Sequence, residues 1–308
     1  MKNPLVSIVM CTYNGQAFLD AQIESIMQQD FQDFELVIAD DRSTDNTYAM
    51  LEEWASRSDR IRIFRNEQNL GFNRNFAATI TKARAPFISI ADQDDIWMPE
   101  KTRLLYEALQ VPGVTLAHSV SIRMENGSLN HARRALHSHF SGDDTRMLML
   151  FNAISGHDMM FNANLLPDIL PVPDRMLYDW WIAFVASTLG TISSVPDAIV
   201  HHRIHENNCY FKRQAHARKQ ELDLDEVWQH FLSVPSLRGE HRAFLEQSLE
   251  LVKGQMKENA GFKPSLFWHL FKNRAVFFGH KRRKLPIFSY FKNSVKYAKL
   301  NFRGKGTI

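Results

Sequence analysis

Pro86-Phe87-Ile88-Ser89-Ile90-Ala91-Asp92-Gln93-Asp94-Asp95 decides how this chain is read. A short apolar, β-rich run ends in three carboxylates within four residues, which places negative charge at the carboxyl end of a strand. In an open α/β sheet that is the edge where ligands sit. Carboxylates this close raise one another's pKa unless a cation intervenes. A hard divalent ion, Mg²⁺ or Mn²⁺, is the natural remedy, because it prefers oxygen ligands and often bridges to phosphates. The competing reading is an acidic loop capping a helix that starts near Pro99.

Upstream of this stretch, strand and helix patterns alternate. Val6–Cys11 is β-rich and ends at the turn signal Thr12-Tyr13-Asn14-Gly15. Phe18–Gln29 has helical spacing, with Leu19, Ile23, Ile26 and Met27 on one face. Phe34–Ala39 predicts a second strand leading into Asp40-Asp41-Arg42-Ser43-Thr44-Asp45, and Asn46–Arg57 a helix behind the capping candidates Ser43, Thr44 and Asp45. Ile61–Phe64 predicts a third strand, Asn73–Lys82 a helix after Asn69-Leu70-Gly71, and Phe87–Ala91 a fourth strand. βα units of this length imply an α/β fold with a parallel, twisted sheet and helices on both faces. Three polar clusters, at Thr12–Asn14, Asp40–Asp41 and Asp92–Asp95, then share one sheet edge, as a nucleotide site requires. Downstream, Val114–Ile122, Asp158–Phe161 and Ile199–His202 read as strands and Asp179–Ser187 as a helix beginning with an acid. Beyond about residue 211 the pattern is helical: Gln214–Phe231, Arg238–Met256, Lys263–Phe278 and Pro286–Phe302.

The bulk numbers narrow the class. With 308 residues, 44% hydrophobic and 23% charged, the chain can bury a real core as a soluble globular protein. No amino-terminal signal is apparent. The longest uncharged stretch, Trp180 to Pro196, is interrupted by serines, threonines and a glycine, whereas a membrane span needs about 20 mostly apolar residues. Cys11 and Cys209 form no metal-type pair, and reduced cytosolic thiols are expected for both. The net charge of +3 hides an asymmetry: from Lys257 onward there are 13 Lys and Arg against the single acid Glu258, a local +12, which leaves −9 on residues 1–256. A basic tail on an acidic body expects an anionic partner.

Four ordered motifs carry a resemblance. Val6–Gly15, Glu35–Asp45, Asn69-Leu70-Gly71 with Arg74-Asn75, and Asp92-Gln93-Asp94-Asp95-Ile96-Trp97 resemble family-2 glycosyltransferases of the GT-A fold, and most closely their bacterial rhamnosyltransferase-like members. The resemblance spans roughly residues 4–210. It implies a GT-A (Rossmann-like), mostly parallel sheet flanked by helices over 1–210, with a helical, basic extension over 211–308. It also implies inverting transfer of a sugar, rhamnose from dTDP-rhamnose foremost, from a nucleoside diphosphate to a hydroxyl of a lipid-linked or oligosaccharide acceptor. By that resemblance Tyr13 and Asp41 meet the nucleobase, with Thr12 and Arg74 close by, and Asp92 meets the ribose. Asp94 is the metal ligand, Asp95 supports it from behind or is solvated, and His205, in His201-His202-Arg203-Ile204-His205, reaches the metal or diphosphate. Tyr178-Asp179-Trp180-Trp181 matches the segment that carries the general base, which points to Asp179. Trp97, His157, Trp180 and Trp181 are expected around the acceptor, Trp180 and Trp181 as sugar-stacking faces.

Each assignment has a plainer counterpart: a turn aromatic for Tyr13, a helix cap for Asp41, a helix-start acid for Asp179. A histidine zinc site lacks clear ligand spacing. No phosphate-cradling glycine loop of the Rossmann or P-loop kind is present, which argues against a sugar nucleotidyltransferase. A non-catalytic glycan- or membrane-binding module is the alternative of a different class. In the tail, Lys292, Lys296, Lys299 and Arg303 recur at helical spacing beside the stripe Phe291, Val295, Ala298 and Phe302, with Phe267, Trp268, Phe271, Phe277 and Phe278 upstream. This reads either as a helical hairpin on an anionic membrane surface, at the inner face of the cytoplasmic membrane, or as a cap packed on the catalytic domain. No nucleic-acid-binding motif is recognised.

Overall fold

Strand β1 (Val6–Thr12) pairs in parallel with β2 (Phe34–Asp40) on one side and β4 (Phe87–Ala91) on the other, and β3 (Ile61–Arg65) joins β2, also in parallel. Helices α1 (Leu19–Met27), α2 (Thr47–Arg57) and α3 (Phe72–Ile80) are the crossovers. The computed structural model describes residues 3–130, 140–174, 176–206, 224–257, 262–279 and 285–299. Central strands covered on both faces read as unbroken apolar runs, and β2 is buried at every position. Successive side chains point to opposite faces. Thus Val9, Val37, Ile88 and Ile90 join one hydrophobic cluster, while Ile8, Met10, Leu36 and Ile38 join another.

The sheet continues through β5 (Ile96–Trp97), β6 (Val114–Glu125), β7 (Ser128–Asn130), β8 (Met159–Asn162) and β9 (Thr191–Ile204), in the order β3-β2-β1-β4-β8-β6-β9-β5, with β7 paired to β6. The expected α/β sheet flanked by helices is therefore present, but β8 runs antiparallel to both β4 and β6. Helix α4 (Lys101–Leu109) follows β5, and the short α5 (Leu166–Ile169) and longer α6 (Tyr178–Leu189) lie between β8 and β9. Strand β9 starts eight residues before the expected Ile199. Pro196 hides its first half, since proline cannot donate to a ladder. The register slips there, from His118↔Ser194 to Val120↔Ala198, which seats Pro196 in an irregularity.

The remaining helices are α7 (Leu224–Leu232), α8 (Gly239–Lys257), α9 (Pro264–Lys272), α10 (Arg274–Phe278) and α11 (Pro286–Lys299). The helix expected over Lys263–Phe278 is divided at Asn273, and residues 214–223 and 300–302 of the expected segments lie outside the described residues. Much of this region packs on the sheet-bearing part of the chain. Phe231 stacks on Phe184 with ring centroids 3.7 Å apart, and the Trp228 indole donates to the Met149 carbonyl at 2.7 Å. Phe267, Phe277, Phe278, Tyr297 and Ala298 are buried. Of the two readings of the tail, Phe267, Phe277, Phe278 and Ala298 follow the packed one. Among the described residues, no helix is long and apolar enough to cross a membrane.

Candidate active site

The carboxyl ends of β1, β2 and β4 bring the three polar clusters together. Asn14 and Arg42, just past β1 and β2, hold left-handed backbones (φ 49° and 67°), which non-glycine residues adopt only where the surroundings fix them. Their loops are laced together: the Asn14 amide donates to Ser43 Oγ at 2.9 Å, and the Thr44 amide to Asn14 Oδ1 at 2.9 Å. The Thr12 hydroxyl, buried, donates to Asp40 Oδ1 at 3.2 Å, so this side chain shapes the rim rather than facing a ligand. Tyr13 is 47% exposed, a flat ring free for stacking.

Gln93 explains its own place between the acids. Its amide oxygen accepts from the Tyr13 amide at 2.9 Å, and its NH₂ donates to the Tyr13 carbonyl at 3.2 Å. A Cβ on Gly15 would run into the Gln93 amide and push that side chain out of its two hydrogen bonds to Tyr13. Asp41 is likewise more than a polar strand end. It is buried, and its oxygens accept from the Leu70 amide (2.8 Å), the Gly71 amide (2.9 Å) and Asn66 Nδ2 (2.8 Å). It shapes the Asn69–Gly71 loop and does not cap α2. Arg74 pairs with Asp174 at 2.9 Å on the surface. Together they border a groove of about 540 Å³ that cis-Pro171 also lines.

The acidic cluster is interleaved with histidines because β5 pairs antiparallel with β9, Ile96 opposite His201, and so folds residues 201–205 over Asp92–Asp95. Asp94 Oδ2 lies 2.8 Å from His205 Nε2, and His205 packs on Phe18 with centroids 4.4 Å apart. Arg203 donates to the Asp94 carbonyl at 2.9 Å. Asp95, fully buried, accepts from His202 Nδ1 (3.0 Å) and the Arg203 amide (3.1 Å) through Oδ1. His157 lies 3.1 Å from Asp92 through Nδ1 and 3.4 Å from Asp158 through Nε2, and it stacks on His202 with centroids 4.7 Å apart.

Burial raises Asp94 above the ordinary carboxylate range; the His205 hydrogen bond opposes this, and the charges of Asp95 and Asp92 add to it. Burial also pushes Asp92 upward, but the hydrogen bond and charge of His157, with His202 and Lys101, outweigh it and hold Asp92 low. For His157, burial disfavours the cation, yet Asp158, Asp95 and Asp92 carry it well above the ordinary histidine value. Lys101 is buried beneath the cluster: it donates to the His157 carbonyl at 2.8 Å and sits 3.0 Å from the Trp97 ring centroid. Burial pulls its ammonium well below the usual lysine range, against Asp158, Asp95 and Asp92.

His157→Gln is expected to destabilise the fold by about 3 kcal/mol at low pH, the usual cost of removing one partner from a buried ionic group. A raised folded-state pKa contributes stability that is complete below the unfolded value, about 6.5, and is lost as pH rises through the folded value. Thermal unfolding should therefore show the largest gap between wild type and variant on the acid side and a shrinking one on the alkaline side. A gap that widens with pH contradicts this reading.

Asp179 opens α6, half-buried, with Oδ1 accepting the Trp180 amide at 2.8 Å. Two ties hold that helix start to the site. Asn73 on α3 donates to the Met176 carbonyl (2.7 Å) and accepts the Tyr178 amide (3.2 Å). The Tyr178 hydroxyl lies where a Cβ on Gly156 would be, 2.2 Å away. Asp92, His157, Gly156, Tyr178 and Asp179 thus form one run of contacts and chain neighbours.

Four expected acceptor contacts need correction. Trp97, Trp180 and Trp181 are between 2% and 5% exposed. The Trp180 and Trp181 indoles donate to the carbonyls of Leu148 (2.5 Å) and Ile169 (2.8 Å) and pack near Phe231. Their rings fill the core and cannot stack on a sugar. His157 is buried between carboxylates and serves the cluster. Conversely, His202 and Lys101 were not expected here, while Asp158, in the Gly156-His157-Asp158 segment expected beside the acceptor, joins the cluster instead. His202 stood in view in the His201-His202 pair, whereas Lys101, a lysine in an ordinary helical pattern, gave no signal.

Among the described residues, Asp95, His157 and His202 offer ligand atoms within 4.8 Å of one another. Cys11 offers no nucleophile: burial raises its thiol against the Thr79 hydrogen bond. Cys209 lies outside the described residues.

An α/β sheet of this order, with carboxylates and histidines gathered at its carboxyl edge, defines a glycosyltransferase of the GT-A fold. The chain belongs to glycosyl transferase family 2, whose profile matches residues 7–167. An uncharacterized glycosyltransferase of Haemophilus influenzae is 26% identical over 221 residues, 66% of this chain and 67% of its own. An Escherichia coli UDP-Glc:alpha-D-GlcNAc-diphosphoundecaprenol beta-1,3-glucosyltransferase, WfgD, is 34% identical over 104 residues, 34% of this chain and 40% of its own. Among solved structures, S. aureus TarS 1-349 in complex with UDP-GlcNAc superposes with a TM-score of 0.63 at 16% identity, covering 96% of this chain and 90% of that one. The Pyrobaculum calidifontis mannosyltransferase PcManGT in complex with GDP-Man and Mn2+ gives 0.58 at 15% identity, covering 97% and 86%.

Proposed function

We propose that this glycosyltransferase is inverting and metal-dependent, and that it moves a sugar from a nucleoside diphosphate to a hydroxyl of a lipid-linked cell-surface polysaccharide precursor. The observation that carries the reading is the Asp94–His205 pair at 2.8 Å, set beside Asp92 at the carboxyl edge of β4. A carboxylate oxygen and an imidazole nitrogen at this separation suit a divalent ion. The mixed donor set favours Mn²⁺ over Mg²⁺, which takes oxygen almost exclusively. Bound there, the ion would offset the charge that develops on the departing diphosphate. Tyr13 supplies a face for the nucleobase, and Asp41 orders the loop beside it. Asp92 meets the ribose, its carboxylate kept ionised by His157. Asp179 takes the acceptor proton. Arg74 stands at the outer rim, available to the donor once released from Asp174.

Rhamnose from dTDP-rhamnose is the proposed donor on the strength of the Asp92-Gln93-Asp94-Asp95-Ile96-Trp97 motif. Acceptors linked to undecaprenyl diphosphate fit the name of the E. coli relative. Work on such a lipid places the protein at the inner face of the cytoplasmic membrane, its basic carboxyl-terminal region toward anionic headgroups. A screen of sugar nucleotides with Mn²⁺ and with Mg²⁺ is expected to show turnover strongest with dTDP-rhamnose and abolished by chelator. A UDP-sugar as the only donor would overturn the rhamnose assignment. Nucleotide binding without turnover of any donor would favour a binding module.

A further inference from the structure

Six of the nine large hydrophobic residues exposed among the described residues lie after residue 261: Phe262, Trp268, Leu285, Ile287, Phe288 and Phe291, each between 46% and 71% exposed. They are not scattered. Phe262, Trp268 and Phe291 each touch the buried ring of Phe267, at centroid distances of 5.6, 5.2 and 5.4 Å. The Phe271 ring joins Trp268 to Phe291, at 6.3 and 5.9 Å. Phe288 stands one helical turn before Phe291 and extends the same ridge. An uncovered aromatic patch of this kind marks an interaction surface.

Charge decides which surface it meets. Helix α11 turns Ser294, Tyr297 and Ala298 into the protein and leaves Lys292 and Lys296 exposed. At about 100° per residue, those lysines stand roughly 100–140° round from Phe291. The aromatic ridge therefore lies between the packed face and a basic face. Lys272 at the end of α9 is exposed beside the patch as well, and the sequence from residue 257 carries 13 Lys and Arg against one acid. Aromatics bordered by lysines, on helices too short and polar to cross a bilayer, are the composition of a helix pair lying in a membrane interface.

We propose that the α9–α11 corner inserts into an anionic bilayer, with Trp268, Phe288 and Phe291 reaching the boundary between headgroups and acyl chains and Lys272, Lys292 and Lys296 in the headgroup layer. This rests on the reading of a membrane-borne acceptor and commits it further: contact is by apolar insertion and not by charge alone. Trp268 is its reporter, because the other five tryptophans are buried or half-buried.

The test uses the full chain with phosphatidylcholine vesicles, with and without phosphatidylglycerol, some carrying acyl chains brominated near the headgroup. With phosphatidylglycerol present, tryptophan emission is expected to be quenched by the brominated lipid, and Trp268→Phe to abolish that quenching. Phe288→Ser with Phe291→Ser should weaken partitioning by roughly tenfold or more, with a cooperative thermal unfolding transition retained and unchanged transfer to a water-soluble acceptor. Vesicle binding without quenching would show charge-only adhesion and overturn the proposal. Failure to bind vesicles, with a polypeptide or nucleic acid masking Trp268 instead, would overturn it too. Quenching by a protein that transfers no sugar would leave the insertion standing and remove the functional reading.

Discussion

Asp179→Asn is expected to bind nucleotide-sugar with unchanged affinity and to transfer sugar about 10²–10⁴ times more slowly, the range that a positioned general base contributes. The acceptor hydroxyl must shed a proton as it attacks, and an amide of the same shape cannot take it. The run of contacts from Asp92 through His157, Gly156 and Tyr178 holds Asp179 to the donor end of the site. A helix-start acid acting only on the helix dipole is worth about 0.3–1 kcal/mol, a few degrees of Tm and no change in kcat. The two roles thus separate cleanly in one variant. Single-turnover rates with saturating donor give the answer, and a variant that turns over at the wild-type rate removes Asp179 as the base.

Asp94→Ala carries the second large effect. Metal-dependent affinity for nucleoside diphosphate is expected to fall by more than about a hundredfold, beyond the loss typical of an outer partner. The same change removes a carboxylate that burial and its acidic neighbours already hold above its ordinary range, so Tm should stay level or rise. Lost binding with retained stability identifies a residue kept for its ligand. Calorimetry with and without Mn²⁺ reports the affinity, and equal binding by variant and wild type contradicts the role.

The first half of the fold was legible because its strands are buried on both faces and its loops are polar. Phe87–Ala91 matches the observed strand at both ends, and three strand ends collect where the pattern put them. Strand β9 was half hidden by Pro196, which a register slip accommodates. In the site, Asp94 and His205, singled out separately in the sequence, stand 2.8 Å apart. The tryptophans misled because beside a candidate base an indole reads as a sugar platform, and only the fold shows that Phe231, from a helix some fifty residues later, covers them. Lys101 was invisible for a related reason: a buried charge is defined by what surrounds it, and the groups around Lys101 come from the loop after β4, from β5 and from the turn before β8. The tail held both of its readings at once. Tyr297, Ala298, Phe277 and Phe278 pack inward, while Phe288, Phe291 and Trp268 face out.

Electron paramagnetic resonance of Mn²⁺ addresses the grip on metal and diphosphate most directly. Adding nucleoside diphosphate to protein and Mn²⁺ is expected to convert the free-ion signal to a bound one, with line broadening when the phosphate oxygens carry ¹⁷O, and Asp94→Ala should leave the ion free. A free-ion spectrum in the wild-type ternary mixture, or a bound one unchanged by Asp94→Ala, would contradict the account.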